Sequence, residues 1–283
     1  MTSVLRWDES DVRVGAVHLH LRRLVGAPAP PILLLHGLGV TGAVWQSFAR
    51  RLAPGYAAVA PDLRGHGASV VRQAHHERDA QAHHEPAAGY QPADYAADLT
   101  GLWPVVLNGP VPVVGHSLGA LVALALAAAR PELVTATVLL DPPVDPNRRG
   151  QDITTVRRLK HEAPGVLEEY LASTSLGGNA LVARALTEQF RQASDAAFDA
   201  MLAAPVGHPG SLVVAASLTQ PVLVVQADPE RGGVLGDDAA RRFAASLARS
   251  RLHKLVGAAH AVHASQPSQV ADLILQFLAD PPS

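Results

Sequence analysis

The chain of 283 residues contains no cysteine. That absence excludes disulfides, thiol catalysis and cysteine-ligated metals, and it leaves the redox compartment undetermined. Charge is also scarce. Asp, Glu, Lys and Arg make up 17% of the residues against 48% hydrophobic ones, which is the balance of a globular chain rather than a disordered one. The formal net charge of −2 offers no field to attract nucleic acid or an anionic membrane. Lysine is nearly missing, with Lys160 and Lys254 standing among many arginines. Together with abundant Ala and Pro, this associates the chain with a GC-rich bacterial source.

Long apolar runs are missing as well. Between Asp98 and Arg130 no residue carries a formal charge, but Pro104, Asn108, Gly109, Pro110 and Pro112 interrupt the stretch. No segment reaches the uninterrupted apolar length of about 20 residues that a membrane span needs. The opening MTSVLRWDESDVRVG has no apolar core of a signal peptide. These absences lead us to expect a soluble, cytoplasmic protein, a monomer or homodimer, with no membrane span and no nucleic-acid partner.

Short apolar runs alternate with helical patterns in the rest of the chain. Strand signals fall at 31–35 (PILLL), 56–60, 111–114, 134–140, 221–225 and 252–256. Helical spacing falls at 44–52, 95–107, 118–130, 237–247 and 267–278, the 95–107 stretch being kinked or ended near Pro104. Strand and helix taking turns imply a mostly parallel, doubly wound α/β sheet covered on both faces. Residues 12–15 and 17–24 read as an antiparallel hairpin at its edge. The stretch 142–217 breaks the rhythm with several helices and reads as a helical cap, an insertion that is not an independent domain. The core is then 1–141 plus 218–283.

A second interruption, 71–88, carries the doubled block QAHHE within QAHHERDAQAHHE, 73–85. Four histidines and two glutamates suggest a metal site, but no HExxH is present. An eight-residue offset turns about 80° around a helix, so the two blocks would not share a face. The stretch reads as a solvated, locally duplicated loop near the cleft mouth, a flap beside the cap. No metal is expected there.

Chemistry is concentrated at Gly115-His116-Ser117-Leu118-Gly119, between a strand and a helix. This is the context of a nucleophile elbow: the chain reverses sharply, and Gly115 and Gly119 remove side chains that would collide. Ser117 then stands at the positive end of a helix. A hydroxyl needs a base and an orienting acid. His260, in Gly257-Ala258-Ala259-His260-Ala261-Val262-His263 after the last strand, suits the base, with His263 as its rival. Asp228, leaving the sheet at its carboxyl edge, is the expected acid. Asp141, at the end of 134–140, is the alternative. An oxyanion hole is required for the tetrahedral intermediate. Its donors are taken as the backbone N–H groups of Leu118 and of Leu38, the latter in His36-Gly37-Leu38-Gly39.

Taken together, HGLG at His36, PDLRGHG at Pro61, GHSLGA at Gly115, the strand end at Asp228 and GAAHAVH at Gly257 resemble the α/β-hydrolase superfamily, in its capped esterase/lactonase-like branch. The resemblance runs from about residue 11 to the end, excluding the cap. It implies an α/β-hydrolase fold, a triad of Ser117, Asp228 and His260, oxyanion donors Leu38 and Leu118, and no cofactor. Serine at 117 departs from the haloalkane dehalogenases and epoxide hydrolases, which look similar but use Asp there. Ala259 departs from the Gly of many relatives.

The expected function is a serine hydrolase that cleaves a small apolar carboxylic ester, lactone or thioester. Pocket candidates are His36, Phe190, Phe198, Met201, Leu202 and His263, although several of these would equally serve to pack the cap. Other readings are the same triad used for C–C hydrolysis, lyase or perhydrolase chemistry, and a non-catalytic receptor on the same scaffold.

Overall fold

A computed structural model describes residues 4–26, 29–71, 89–147, 153–174, 180–203 and 209–282. The doubled QAHHE block falls outside the described residues. Strands β1 (Arg6–Val14) and β2 (Val17–Val25) form the expected antiparallel hairpin, longer than the sequence signal, with Gly15 at φ +57° in the turn. There follow β3 (Pro31–Leu35), a 3₁₀ turn (Gly42–Trp45), α1 (Gln46–Leu52), β4 (Ala57–Pro61) and β5 (Val70–Val71). Next come α2 (Pro92–Thr100), β6 (Val111–His116), α3 (Leu118–Ala129) and β7 (Val134–Leu140).

Among the described residues, five helices lie between β7 and the next strand: α4 (Ile153–Leu159), α5 (Pro164–Thr174), α6 (Ala180–Gln192), α7 (Asp195–Ala203) and α8 (Pro209–Ala216). The chain then returns to the sheet through β8 (Val222–Gln226), α9 (Asp237–Ser246), β9 (Ser250–Lys254), α10 (Val262–Ser265) and α11 (Pro267–Ala279).

The strand order is β1-β2-β4-β3-β6-β7-β8-β9, with β5 paired to β2. Pairing is parallel from β4 through β3 to β9 and antiparallel at the β1–β2–β4 edge. This is the doubly wound α/β arrangement. Adjacent residues of one strand serve opposite faces, as the pleat requires. Leu33, Leu35, Val113 and Val224 pack on one side with Leu99 and Phe243. Leu34, Val114, Val138 and Val225 pack on the other with Phe48, Ile274 and Phe277. Burial on both faces is why these strands read as continuous apolar runs. The helices after β7 carry a smaller core of their own, built on Val156, Leu159, Leu167, Leu171, Phe190 and Phe198.

Two local readings shift. The helix expected at 95–107 begins earlier, because Pro92 suits the first turn and Gln91 and Asp94 form a capping box. It ends at Thr100, and a π-helical turn (Trp103–Leu107) follows and closes on Asn108 at φ +53°. Pro104 has no N–H to continue the α-helical ladder. The last strand runs Ser250–Lys254, two residues ahead of the expected 252–256. Among the described residues no helix is long and apolar enough to cross a membrane.

Candidate active site

Parallel strands deliver their carboxyl ends to one edge of the sheet, and ligand sites of open α/β sheets form there. β6 ends at His116 opposite Leu140 of β7. Ser117 follows at φ +53°, ψ −116°, before α3. A non-glycine residue in such a sparsely populated region costs about 1–3 kcal/mol. The turn is sharp because its glycines let backbone meet backbone. A Cβ on Gly115 would overlap the Gly119 carbonyl, and a Cβ on Gly119 would overlap the Leu35 carbonyl. Ser117 N–H donates to Leu140 O at 3.1 Å, which ties the elbow to the end of β7.

The residue after Leu140 is Asp141. It is fully buried, at φ +43°. Its carboxylate accepts from Ala227 N–H at 3.2 Å, from Val234 N–H at 2.9 Å and from His260 Nδ1 at 2.7 Å. An ionised carboxylate can only accept, so Nδ1 carries the imidazole proton. In the neutral imidazole Nε2 then keeps the lone pair. The His260 side chain is 22% exposed, whereas Asp141 is completely covered.

The contact expected between Asp228 and His260 is not formed, and this is a correction to the sequence reading. Asp228 spends its carboxylate on backbone: one oxygen accepts from Glu230 N–H at 3.0 Å, the other from Gly257 N–H at 2.7 Å. These bonds hold its carboxyl below the usual carboxylate range. Its own N–H donates to Ala258 O at 2.9 Å. Asp228 therefore grips the loop that carries His260 without touching the imidazole. Asp141, the alternative acid, occupies the place beside it.

The loop after β3 lies against the elbow. A Cβ on Gly37 would stand 3.4 Å from Ser117 Cβ and 3.1 Å from His116 Nδ1. Neither Leu38 N–H nor Leu118 N–H is taken up by a hydrogen bond among the described residues. Ser117 Oγ likewise makes no hydrogen bond among them.

His36 is not in the pocket role given to it as a candidate. It is buried, its Nδ1–H donates to Gly37 O at 2.8 Å, and its Nε2 accepts from Leu63 N–H at 2.9 Å. It ties two loops together, and burial lowers its pKa to about 4.

His263, the rival base and a pocket candidate, is likewise enclosed. Its ring lies 4.3 Å from the Trp45 ring and 4.8 Å from that of His116. Burial and the nearby His260 lower its pKa to about 3, so it packs as a neutral ring.

Phe190 and Phe198 are buried in the core of the helical insertion and lie over Gly39, their rings 6.2 Å apart. They pack the insertion onto the loop rather than lining open space. Met201 packs partly buried against the main core, and Leu202 is half-buried. A groove of about 560 Å³ between α5 and α6, lined by Glu168, Leu181 and Arg184 among others, contains none of these groups.

His116 was not singled out from the sequence. Its Nε2–H donates to His260 O at 3.1 Å, and its ring lies 4.6 Å from the His260 ring. Burial, and then the neighbouring imidazoles, hold its pKa well below the ordinary histidine value. Its place inside the G-x-S-x-G motif was the available signal, because that position must sit at the carboxyl end of the strand. Asp62 supports the loop after β3 by accepting from Gly42 N–H and Ala68 N–H.

The family model for the alpha/beta hydrolase family matches residues 32–273. The chain belongs to this family. It is similar to the 2-(acetamidomethylene)succinate hydrolase of Mesorhizobium japonicum, with 33% identity over 130 residues, 46% of this chain and 41% of that one. It is also similar to the lipase LipV of Mycobacterium tuberculosis, 38% identical over 131 residues, 45% of this chain and 43% of that one. Each match covers less than half the length of the curated relative. Among solved structures, an N-acyl homoserine lactonase superposes with a TM-score of 0.76 at 19% identity, covering 98% of both chains. At that identity the likeness concerns the fold.

Proposed function

We propose that the protein is a serine hydrolase acting on a carboxylic ester, lactone or thioester, with Ser117 as nucleophile, His260 as base and Asp141 as the orienting acid. The observation that carries this reading is the 2.7 Å bond from His260 Nδ1 to the buried Asp141 carboxylate, one residue beyond the strand end that the elbow grips. It fixes the tautomer that leaves Nε2 free to take a proton. Similarity to a lipase and to a named hydrolase supports the class.

Ser117 Oγ attacks the substrate carbonyl carbon, and its proton passes to His260 Nε2. The carbonyl electron pair moves to oxygen and is held by Leu38 N–H and Leu118 N–H. Collapse expels the alcohol, thiol or ring oxygen, which takes the proton from His260. Water, deprotonated by His260, then attacks the acyl carbon and restores Ser117. The named groups and water carry every proton in these steps, so the reading calls for no cofactor. Residues 142–217 serve as the cap over this edge.

The test is Ser117→Ala assayed on p-nitrophenyl acetate, with a fluorophosphonate probe on the parent protein. Loss of turnover with an unchanged circular-dichroism spectrum, and labelling of the parent at Ser117, are expected. Full activity in the variant ends the assignment.

A further inference from the structure

The loop that presents Leu38 N–H is held from two sides. Upstream, His36 is tied to Leu63 and Gly37 lies against His116 and Ser117. Downstream the support comes from the helical insertion. Gln189 of α6 offers one oxygen to two donors of Thr41, the backbone N–H at 2.9 Å and Oγ1–H at 3.0 Å. Thr41 is buried, and its hydroxyl also accepts from Ala43 N–H at 3.3 Å, opening the 3₁₀ turn.

The next residue of α6, Phe190, lies so close over Gly39 that a Cβ there would overlap its ring. Gly39 sits at φ +80°, so glycine is required there on conformational and on packing grounds. Leu38, between Gly37 and Gly39, packs on both the main core and the core of the insertion. A second tie, Ser194 N–H to Gly65 O at 2.7 Å, anchors the end of α6 to the turn after β4.

We propose that Gln189 is a positioning residue for the oxyanion hole. It couples the seating of the cap to the placement of Leu38 N–H. The inference rests on the serine-hydrolase reading above. Oxyanion donors act when they meet the charge that develops in the transition state. A loop that carries such a donor must be fixed on both flanks. Upstream fixing is supplied by the sheet and the elbow. The downstream flank hangs on a residue 148 positions away in sequence. Movement of α6 away from the loop breaks both Thr41 bonds at once and releases Leu38. The hole is thus complete with the cap seated and loosened when the cap lifts.

Gln189→Leu removes the shared acceptor, and Gln189→Glu retains it. The readouts are kcat and KM on p-nitrophenyl acetate and the inhibition constant of an alkyl trifluoromethyl ketone. That ketone is attacked by Ser117, its oxygen becomes the alkoxide, and the proton goes to His260, so its affinity reports the hole directly.

With Gln189→Leu, kcat and ketone affinity should fall together, by about 10- to 100-fold for a donor shifted by an ångström or less, while KM stays within about two-fold. Gln189→Glu should restore both. Should Gln189→Leu fail to fold, Thr41→Val, which removes one of the two bonds, is measured in the same way and should show a smaller parallel loss. Changes confined to KM or thermal stability, with kcat and ketone affinity intact, overturn the proposal. A parent protein that neither labels with fluorophosphonate nor turns over ester overturns the hydrolase reading and this proposal with it. Labelling with no effect of Gln189 overturns this proposal alone.

Discussion

Two aspartates stand at neighbouring strand ends on one edge of the sheet, and they are used differently. Asp141 leaves β7 with a left-handed backbone, fully buried, and turns its carboxylate to His260. Asp228 leaves β8 in extended backbone and caps a 3₁₀ turn (Pro229–Arg231) with one oxygen while the other holds Gly257 N–H. β7 and β8 run parallel in register, Leu140 opposite Val225, which brings Asp141 level with Gln226 and leaves Asp228 two residues further along. They also differ in what their oxygens bind: Asp141 takes His260 Nδ1–H and two backbone N–H groups, Asp228 backbone N–H groups alone. Ala227 N–H, just before Asp228, and Val234 N–H, in the loop after it, both donate to Asp141, so the segment around one acid helps to build the seat of the other.

The largest expected effect of this division is catalytic. Asp141→Asn should lower kcat by about 10³–10⁴-fold, because the amide no longer selects the Nδ1–H tautomer. Asp228→Asn, which keeps one acceptor, should cost roughly 10-fold or less through loosening of the His260 loop. Steady-state kinetics on p-nitrophenyl acetate checks both. A reversed order would return the role of acid to Asp228.

Stability should divide the same way. Asp141→Ala strands two buried N–H donors, each costing about 1–3 kcal/mol. Urea unfolding should therefore move much further for Asp141→Ala than for Asp228→Ala, whose donors are reached by water. Equal shifts would contradict the different burial of the two seats.

Acid unfolding distinguishes these carboxylates from the buried imidazoles of His36, His66 and His263. His36 titrates near 4 in the folded state, and His66 and His263 near 3, because all three are buried. The unfolded chain protonates them near 6.5. Between these limits the unfolded state binds more protons, so stability is intact above about pH 6.5 and falls as pH drops toward 4 and 3. Each histidine contributes about 1.4 kcal/mol per pH unit in that window. Asp228, lowered below the ordinary carboxylate value, contributes stability that is lost only under more acidic conditions, below about pH 4. Replacing His263 with Phe should reduce the slope of melting temperature between about pH 6.5 and 4 by one histidine's share, His36 and His66 supplying the rest. The ring is replaceable since its Nδ1 has no hydrogen-bond partner among the described residues. Asp228→Asn should leave that window unchanged. A curve for His263→Phe that keeps the parent slope would refute the assignment to this ring.

Much of the architecture was legible because it follows from local rules. Alternating apolar strands and helices announced the parallel sheet, and the run of helices after β7 announced an insertion there. Gly115 and Gly119 announced the elbow through the sterics of strand reversal. Pro104 marked a real interruption, although the helix stopped earlier than the spacing suggested. The seats of His36 and His263 were harder to read. A lone histidine in a loop looks the same in sequence whether it packs on Trp45 or faces a ligand. The support of Thr41 by Gln189 left no local trace, because the two are joined by neither periodicity nor motif.

Chain chemistry alone settled which residue types were on offer: a serine at a strained turn, a histidine after the last strand, two aspartates at strand ends, and no thiol. Those follow from sterics and composition, which act over a few residues. The assignment of Asp141 rather than Asp228 to His260 belongs to the folded molecule. It depends on a left-handed backbone at one strand end, on two N–H donors from another loop, and on the path of Gly257–His260. Contacts between residues some hundred positions apart are made by packing, and no local pattern encodes them.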